Sequence, residues 1–357
     1  ETIQAGREAD ELPRALSVNR SVLDDYWRNE SICLLAFSKL KGMGYHNIRA
    51  LAGLGESYNK IFCSDTMAEF EEFLKRAKCR LSSEVSSFWF RNRRELWVEA
   101  RELLKQLTLR GVQVLHAGQT EFPKLLNDAE GPPKWLFVQG SLEALHRPML
   151  GVVGTRNPSN DGLFLAKYIG ASLPVVSTEM ATVSGLAAGI DQTIHFESIR
   201  SGIPTVAVLG TGIFSDYPHG TAELKNEICA QGGALVTEYF PNESYGKENF
   251  VLRNRLQAAF CSVLIPAEWK AESGTAHTVR FAGGMGRRIV CLRLPTWKDD
   301  HTEFAYASKF GGRVFTVPGQ ESELFDFLRQ GLSVKPNVPI TEAGQLSLFT
   351  QGPAREL

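Results

Sequence analysis

The chain has 357 residues, of which 43% are hydrophobic and 22% charged, and this composition excludes collagen-like, intrinsically disordered and disulfide-stapled proteins. Its length allows two or three compact units, each with a sizeable hydrophobic core. The formal net charge of −1 excludes a protein that coats nucleic acid through bulk positive charge, so any nucleic-acid contact must be local.

Residues 1–20 lack hydrophobic periodicity, and we predict a loose N-terminal arm there. The arm is polar where a signal peptide needs an apolar segment, and no apolar run approaches membrane-spanning length. We therefore expect a cytoplasmic protein with no membrane partner. The cysteines form no CxxC pair, and no histidine lies near any of them at the spacing of metal ligands. This pattern predicts free thiols and no metal or other cofactor. They are Cys33, Cys63, Cys79, Cys229, Cys261 and Cys291.

Residues 21–110 show helical spacing of apolar side chains, which predicts a small helical domain of the SAM or helix-hairpin-helix kind. The turn Lys41–Gly44 resembles a helix-hairpin-helix turn, in which glycines let backbone amides approach a phosphate. A purely structural turn explains the same pattern. Residues 75–110 carry ten Lys or Arg against four Glu, a stretch that either a solvated helix face or a phosphate-binding face explains.

Residues 111–330 alternate short β-branched runs with glycine-containing loops and helical stretches. This alternation predicts βαβ units and an α/β domain with a Rossmann-like, mostly parallel sheet flanked by helices. Residues 331–357 contain Pro and Gly at short intervals, which predicts a flexible tail. The predicted strands are Val112–Val114, Trp135–Val138, Leu150–Val153, Thr182–Ser184, Thr205–Leu209, Ala234–Thr237, Ser262–Ile265, Ile289–Leu292 and Val314–Val317.

Small and polar residues follow several of the predicted strands, and the loops at the carboxyl ends of parallel strands converge on one crevice. Gly154 allows a tight turn, after which Thr155 and Arg156 offer donors to a phosphate at the start of a helix near Asp161. After the next strand, Ser184 and Gly185 offer a hydroxyl and an unobstructed amide, and Gly189 lets a helix pack closely on the sheet. Two further loops are Ala207–Ile213, followed by Tyr217 and Pro218, and Ala267–Glu268 with Ser273–Ala276.

The segment Lys247–Arg255 combines cations with an aromatic ring. Lys247 and Phe250 are three residues apart, so an ammonium can hold a phosphate while the ring stacks on a neighbouring base. Arg253 and Arg255, separated by Asn254, are expected to bind phosphates bidentately. The alternative for Phe250 is an ordinary core residue.

These motifs occur in the same order as in the DNA-processing protein A family, also called DprA or Smf, and the chain resembles that family from about residue 30 to 325. The Arg253–Arg255 segment is followed by Leu-Gln-Ala-Ala-Phe-Cys-Ser where the family has an apolar run ending in Gly-Leu-Ser, so the chain resembles a divergent member. The motifs are GTR at 154–156, SGLAAGID at 184–191, AVLGTGI at 207–213 with Tyr217-Pro218, LVTEY at 235–239, FVLRNR at 250–255, ESGTA at 272–276 and VPG at 317–319.

The resemblance implies a non-catalytic homodimer that binds single-stranded DNA and delivers it to a strand-exchange recombinase. The biological setting, whether transformation, a mobile element or defence, stays open. The residues expected to bind DNA are Thr155, Arg156, Ser184, Gly185, Lys247, Phe250, Arg253, Asn254, Arg255, Ser273 and Thr275.

An enzyme is the alternative, because phosphoribohydrolases with a related sheet resemble the chain at Ser273–Thr275. Their PGG run before Gly-Thr and the catalytic Glu after it are missing here, which argues against hydrolysis. Asp191 and His195 are spaced as a general base pair could be, but we interpret them as a helix-stabilising pair.

The segment Gln345–Phe349 matches the QLSLF-type peptide by which bacterial proteins bind the replicative sliding clamp. Such a peptide places Leu348 and Phe349 in an apolar pocket while Gln345 makes polar contacts at its rim. The alternative is an edge strand, since Leu346, Leu348 and Phe349 could pack back on the domain.

Overall fold

The computed structural model describes residues 11–79, 81–298 and 301–333. The chain divides into two compact units between Arg110 and Gly111. Within the described ranges, no helix combines the length and the apolar character needed to cross a membrane.

The first unit is helical, and its core is aromatic. The rings of Phe70 and Trp89 stack with their centroids 4.0 Å apart, and Phe37 packs against Phe62 with centroids 5.3 Å apart. The carboxylate of Glu30, itself buried, accepts the backbone amides at the start of the third helix. The helices are α1 (Glu11–Ser38), α2 (Tyr45–Ala52), α3 (Tyr58–Phe62), α4 (Met67–Arg76) and α5 (Ser83–Leu109).

Helix α1 starts earlier than the sequence predicted, so residues 11–20, assigned to a loose arm, are helical. Leu12 and Leu16 are four residues apart in the sequence and Pro13 lies in the first turn, where a helix tolerates proline. The arm prediction was therefore wrong for these ten residues. Residues 1–10 lie outside the described ranges.

The turn Lys41–Gly44 between α1 and α2 is held by local contacts. Gly42 has a φ of +86°, which favours glycine, and its carbonyl accepts the Asn47 side-chain amide at 2.9 Å. Met43 is buried in the helical core. These contacts account for Gly42 by local structure, whereas an added Cβ at Gly44 would meet no atom within 4 Å.

The second unit is a nine-stranded sheet, in which β1 and β2 pair antiparallel, β2 pairs antiparallel with β6, and all other neighbours are parallel. The order across the sheet is β1-β2-β6-β5-β4-β3-β7-β8-β9. The predicted fold class and all nine predicted strands are confirmed. The strands are β1 (Val112–His116), β2 (Trp135–Gly140), β3 (Met149–Val153), β4 (Ala181–Ser184), β5 (Thr205–Val208), β6 (Ala234–Thr237), β7 (Val263–Pro266), β8 (Arg288–Arg293) and β9 (Arg313–Thr316).

Helices cover both faces of this sheet and give it two apolar cores. One core contains side chains of α6, α7 and α12, and the other contains side chains of α9 and α10. The helices of this unit are α6 (Asn160–Val176), α7 (Ile190–Arg200), α8 (Ala222–Ala230), α9 (Lys247–Phe260), α10 (Gly274–Gly284), α11 (Thr302–Ser308) and α12 (Glu321–Ser333).

Helix α12 extends into the predicted tail, so residues 331–333 are helical rather than part of a linker. A Cβ on Gly331 would lie 2.3 Å from Cγ2 of Val263, so this glycine lets the end of α12 pack against β7. The rest of the predicted tail, including Gln345–Phe349, lies outside the described residues.

The chain order reverses between β3 and β7, which are parallel neighbours in the middle of the sheet. Pro266 ends β7, and pairing with β3 continues beyond it through the amide of Ala267, which donates to Val153 O at 2.9 Å. Ligands bind in such sheets outside the carboxyl ends of the strands, where the order reverses. The fold therefore directs attention to the loops that follow β3, β4, β5 and β7.

Candidate nucleic-acid interface

The loops after β3, β4 and β7 are bonded to one another. The amide of Thr155 donates to Glu268 O at 2.7 Å, and the carbonyl of Thr155 accepts the amide of Ile190 at 3.2 Å. The hydroxyl of Thr275 donates to Gly154 O at 3.3 Å. Thr155 and Thr275, both predicted to bind DNA, therefore hold the loops of the crevice together.

Two glycines make this close approach feasible. A Cβ on Gly154 would lie 2.6 Å from the Ile190 side chain, and a Cβ on Gly189 would lie 2.5 Å from Thr155 O. Gly189 also has a φ of +84°. The sequence predicted that Gly189 lets a helix pack on the sheet. In the structure, an added Cβ would instead lie closest to the loop after β3.

Arg253 forms the floor of the crevice. It projects from α9, is only 4% exposed, and its Nη1 donates to Gly185 O at 2.6 Å and to Val208 O. Burial lowers the pKa of Arg253 to about 10, while the charge of Asp191 opposes this shift and that of Arg156 adds to it. The guanidinium is therefore a buried cation near neutral pH, and its Nε has no partner among the described residues.

Asp191 is the counter-ion of this buried guanidinium. Burial raises the pKa of Asp191, and the charge of Arg253 counteracts that shift. The ring of His195 instead lies against β5, with Nδ1 2.7 Å from Thr205 Oγ1. The predicted Asp191–His195 pair was therefore wrong, because each side chain has its own partner in the core.

Phe250 and Arg156 lie above Arg253 at the mouth of the crevice. The Phe250 ring is half-buried and leans on Gly210, where a Cβ would approach it to 3.0 Å. The guanidinium carbon of Arg156 lies 5.8 Å from the ring centroid, and that of Arg253 lies 5.5 Å from it. Lys247 is exposed at the first position of α9, three residues before Phe250. The structure thus brings together four of the predicted residues.

Two tyrosines extend the aromatic surface around Phe250. Tyr217 and Tyr245 lie with ring centroids 5.3 Å and 5.2 Å from that of Phe250, and 4.9 Å from each other. Tyr245 is 49% exposed. We call Tyr217, Tyr245 and Phe250 the aromatic cluster. Neither tyrosine was predicted as a site residue: Tyr217 was only part of a motif, and Tyr245 was missed. An aromatic residue just before a helix that carries cations could have indicated Tyr245.

The three residues Arg253–Arg255 do not act together. Arg255 is 1% exposed and forms a bidentate pair with Glu238, at 2.7 Å and 2.9 Å. Asn254 donates from Nδ2 to Gly274 O at 3.1 Å and so holds the start of α10. The prediction that Arg253 and Arg255 bind phosphate as a pair was wrong, because residues two apart on a helix point away from each other.

Ser184 is fully buried, and its hydroxyl donates to Val152 O at 2.6 Å. It is not placed to contact a phosphate, which corrects the role that the sequence suggested. Gly185 lies at the floor, where a Cβ would come within 2.1 Å of the Arg253 guanidinium. Ser273 donates to Lys270 O at 2.6 Å and thereby closes the loop before α10.

At the start of α6, where a phosphate was predicted to bind, two backbone amides already have hydrogen-bond partners in the protein. Ser159 caps the helix by accepting the amide of Gly162 at 3.1 Å, and the Glu268 carboxylate accepts the amide of Ser159 at 2.8 Å. A second anion there would be repelled by that carboxylate. The exposed cations Arg156 and Lys247 therefore remain as the candidate anion-binding residues of the crevice, beside the aromatic cluster.

The family model described as DNA recombination-mediator protein A matches residues 113–320, more than half of the chain. The chain belongs to this family. The match covers β2–β9, all four loops of the crevice and the Arg253 floor.

Curated relatives of the family are similar to the chain over part of their lengths. Protein Smf of Synechocystis is 32% identical over 265 residues, covering 68% of this chain and 65% of the relative. DNA processing protein DprA of Streptococcus pneumoniae is 34% identical over 171 residues, 48% of this chain and 59% of the relative. The chain thus spans about three fifths of the length of these relatives.

A solved structure confirms the fold. The X-ray structure of DprA from Streptococcus pneumoniae superposes with a TM-score of 0.60 at 24% identity, covering 80% of this chain and 94% of that chain. The recombination-mediator family therefore accounts for the sheet and for the loops that form the crevice.

Proposed function

We propose that this protein is a recombination mediator that binds single-stranded DNA at the mouth of the crevice. The observation that supports this most directly is the half-buried Phe250 ring, which lies within 6 Å of two guanidinium groups, those of Arg156 and Arg253. A phosphate binds a cation, and an unstacked base stacks on an aromatic ring. Here a cation and a ring lie side by side.

Arg156 and Lys247 hold the phosphates, because both are exposed at the mouth. Arg253 supports the floor beneath them, with its charge balanced by Asp191. Bases stack on the aromatic cluster, whose rings can be reached only by bases released from a duplex. Single strands are therefore preferred over duplex DNA.

The test is fluorescence anisotropy with labelled oligo(dT) and with duplex DNA of equal length. A hydrogen bond to a charged group contributes about 1.5–3 kcal/mol, so Arg156→Ala weakens single-strand binding roughly tenfold or more. Arg200→Ala is the matched control, since this arginine is 74% exposed and lies at the C-terminal end of α7. Equal binding of duplex DNA, or equal affinity of the Arg156 and Arg200 variants, contradicts the proposal.

The protein is proposed to work without a catalytic step, as a DNA-binding mediator. The nucleotide-hydrolase alternative is disfavoured, because Glu268, the carboxylate that follows β7, is engaged at the start of α6. We expect no release of base from nucleoside monophosphates. Base release together with no binding of oligo(dT) would reverse this assignment.

Delivery of the bound strand to a strand-exchange recombinase, by a homodimer, belongs to the same proposal. Its support is membership of the recombination-mediator family. Sedimentation velocity checks the dimer. Recombinase loading on oligo(dT) coated with single-strand-binding protein checks delivery, and loading that is no faster with the protein than without it argues against a mediator.

The segment Gln345–Phe349 is proposed to bind the replicative sliding clamp, on the support of its sequence alone. Alanine at Leu348 and Phe349 is expected to abolish retention on immobilised clamp and to leave oligo(dT) affinity unchanged. Unchanged retention of the variant overturns the assignment.

A further inference from the structure

Helix α5 of the helical unit carries a basic face that the crevice does not account for. At 100° per residue, positions 91, 94, 98, 101 and 105 fall within about 80° of one another around the helix axis. All five side chains are exposed, and four of them are cations: Arg91, Arg94, Arg101 and Lys105. We call these four residues the α5 basic face.

This face points away from the core of its own unit. The buried side chains of α5, among them Trp89, Leu96 and Leu107, lie on the opposite side of the helix. Since the core already occupies the apolar side, the basic face is not needed to hold the helix in place.

The cations of the α5 basic face lack acidic partners. The ion pairs of the described helical unit involve Arg28, Lys39, Lys60 and Arg76, and none involves a residue of this face. The glutamates of α5 border this face, about 20° to 80° beyond Arg91 around the helix axis, and among them Glu99 pairs with Lys39 at 3.6 Å. Four cations along about 21 Å of helix, none of them within 4 Å of a described carboxylate, make a strip of positive potential.

Aromatic rings line the other flank of the basic face. Phe90 is 44% exposed, and Trp97, two helical turns further along, is half-buried with the Arg101 guanidinium 5.2 Å from its ring. Cations interleaved with exposed rings suit a strand of nucleic acid with unstacked bases, because phosphates bind the cations while bases stack on the rings. An anionic membrane fits less well, since the apolar side of α5 is buried.

We propose that the α5 basic face is a second binding surface for single-stranded DNA. It shares its ligand with the proposed function but none of its residues. The crevice takes up a short oligonucleotide, whereas a long one offers enough phosphates to load the α5 basic face, with Arg94 and Arg101, as well.

The experiment compares oligo(dT) of about six and about forty nucleotides on the full chain, because single binding sites cover roughly 4–16 nucleotides. The variant is Arg94→Ala with Arg101→Ala. The matched control is Arg28→Ala with Lys75→Ala, which removes two exposed cations of the same unit away from this face.

Two lost phosphate contacts lower the slope of log affinity against log salt by about 1.4 and weaken binding roughly tenfold at physiological salt. We expect this loss for the long oligonucleotide only, no loss in the control, and retention when Arg94 and Arg101 are replaced by lysine. Unchanged long-oligonucleotide affinity in the double variant, or the same loss in the control, overturns the inference. So does a double variant that loses only its binding to anionic lipid vesicles.

The experiments distinguish failure of the proposed crevice site from failure of the proposal for the α5 basic face. If Arg156→Ala leaves binding of the short oligonucleotide intact while the double variant loses the long one, the proposed crevice is wrong and the second surface stands.

Discussion

At the scale of single residues, burial decides which cations are available to a ligand. Arg253 and Arg255 are two positions apart and both are almost fully buried, yet one faces the crevice and the other pairs with Glu238. Arg156 and Lys247 are exposed. The number of arginines in a motif therefore overstates the number of phosphate contacts, since one of the two in Arg253–Arg255 is neutralised inside the protein.

Phe250→Ala should weaken binding of single-stranded DNA, because the half-buried ring offers the stacking face closest to both guanidinium groups. Loss of one stacked base costs about 1–3 kcal/mol. Phe250→Trp should retain affinity, since an indole also stacks. Anisotropy with oligo(dT) distinguishes the two variants, and thermal unfolding checks that both are folded. Equal affinity of all three proteins would show that the ring is only a packing residue.

His195 should make the fold sensitive to acid. Burial, together with the charge of Arg253, lowers its pKa from 6.5 to about 3, so the folded protein holds it neutral. The unfolded chain takes up the proton first as pH falls. The stability contributed by the neutral ring is thus complete above pH 6.5 and is lost progressively from there down to about pH 3.

Asparagine at position 195 can replace Nδ1 beside Thr205 but does not titrate. Between pH 6 and 4, His195→Asn should reduce the slope of the unfolding free energy by about 1.4 kcal/mol per pH unit. Urea titrations at several pH values measure this slope. An unchanged slope would mean that His195 is not protonated differently in the folded and unfolded states.

At the scale of elements, the crevice depends on loops that approach more closely than side chains normally allow. The loop after β4 meets the loop after β3 at Gly189, and α9 brings Arg253 beneath Gly185. Predicted site residues such as Thr155 and Thr275 serve this closure. Correct loop packing is thus a condition for the exposed residues to act together.

Gly189→Ala should reduce both stability and DNA affinity. Its backbone, with φ +84° and ψ −126°, lies in a region that glycine adopts far more readily than alanine, at a cost of about 1–3 kcal/mol, and the new Cβ would press on Thr155 O, which lies 2.5 Å away. Gly202→Ala is the control, because Gly202 also has a positive φ but no atom within 4 Å of the added Cβ. It should lose stability and keep its DNA affinity. Loss of affinity in both variants would remove the special role of the loop contact.

At the scale of the whole molecule, the net charge of −1 means that DNA binding depends on where cations lie. Two exposed cations at the mouth, Arg156 and Lys247, predict a slope of about −1.4 for log affinity against log salt with a short oligonucleotide. Titrations from low to high salt measure it. A slope near zero would contradict phosphate binding at the mouth.

The sequence by itself determined the fold and the family of this protein. Strands are indicated by the local sequence, through short β-branched runs, several of which are followed by glycine. The bounds of all nine strands were predicted to within a few residues. The boundaries of α1 and α12 were less predictable, because Pro13 and Gly331 are residue types that often mark the end of a helix, yet both lie inside these helices.

Only the tertiary structure decided which residues of the crevice are available to a ligand. Burial and partnership depend on residues far apart in the chain, such as Glu238 for Arg255 and Glu268 for the start of α6. The same holds for the aromatic cluster, in which Tyr217 meets Tyr245 and Phe250 from a separate segment. The local sequence determines helices and strands. An interface consists of side chains that are distant in the sequence and that only folding brings together.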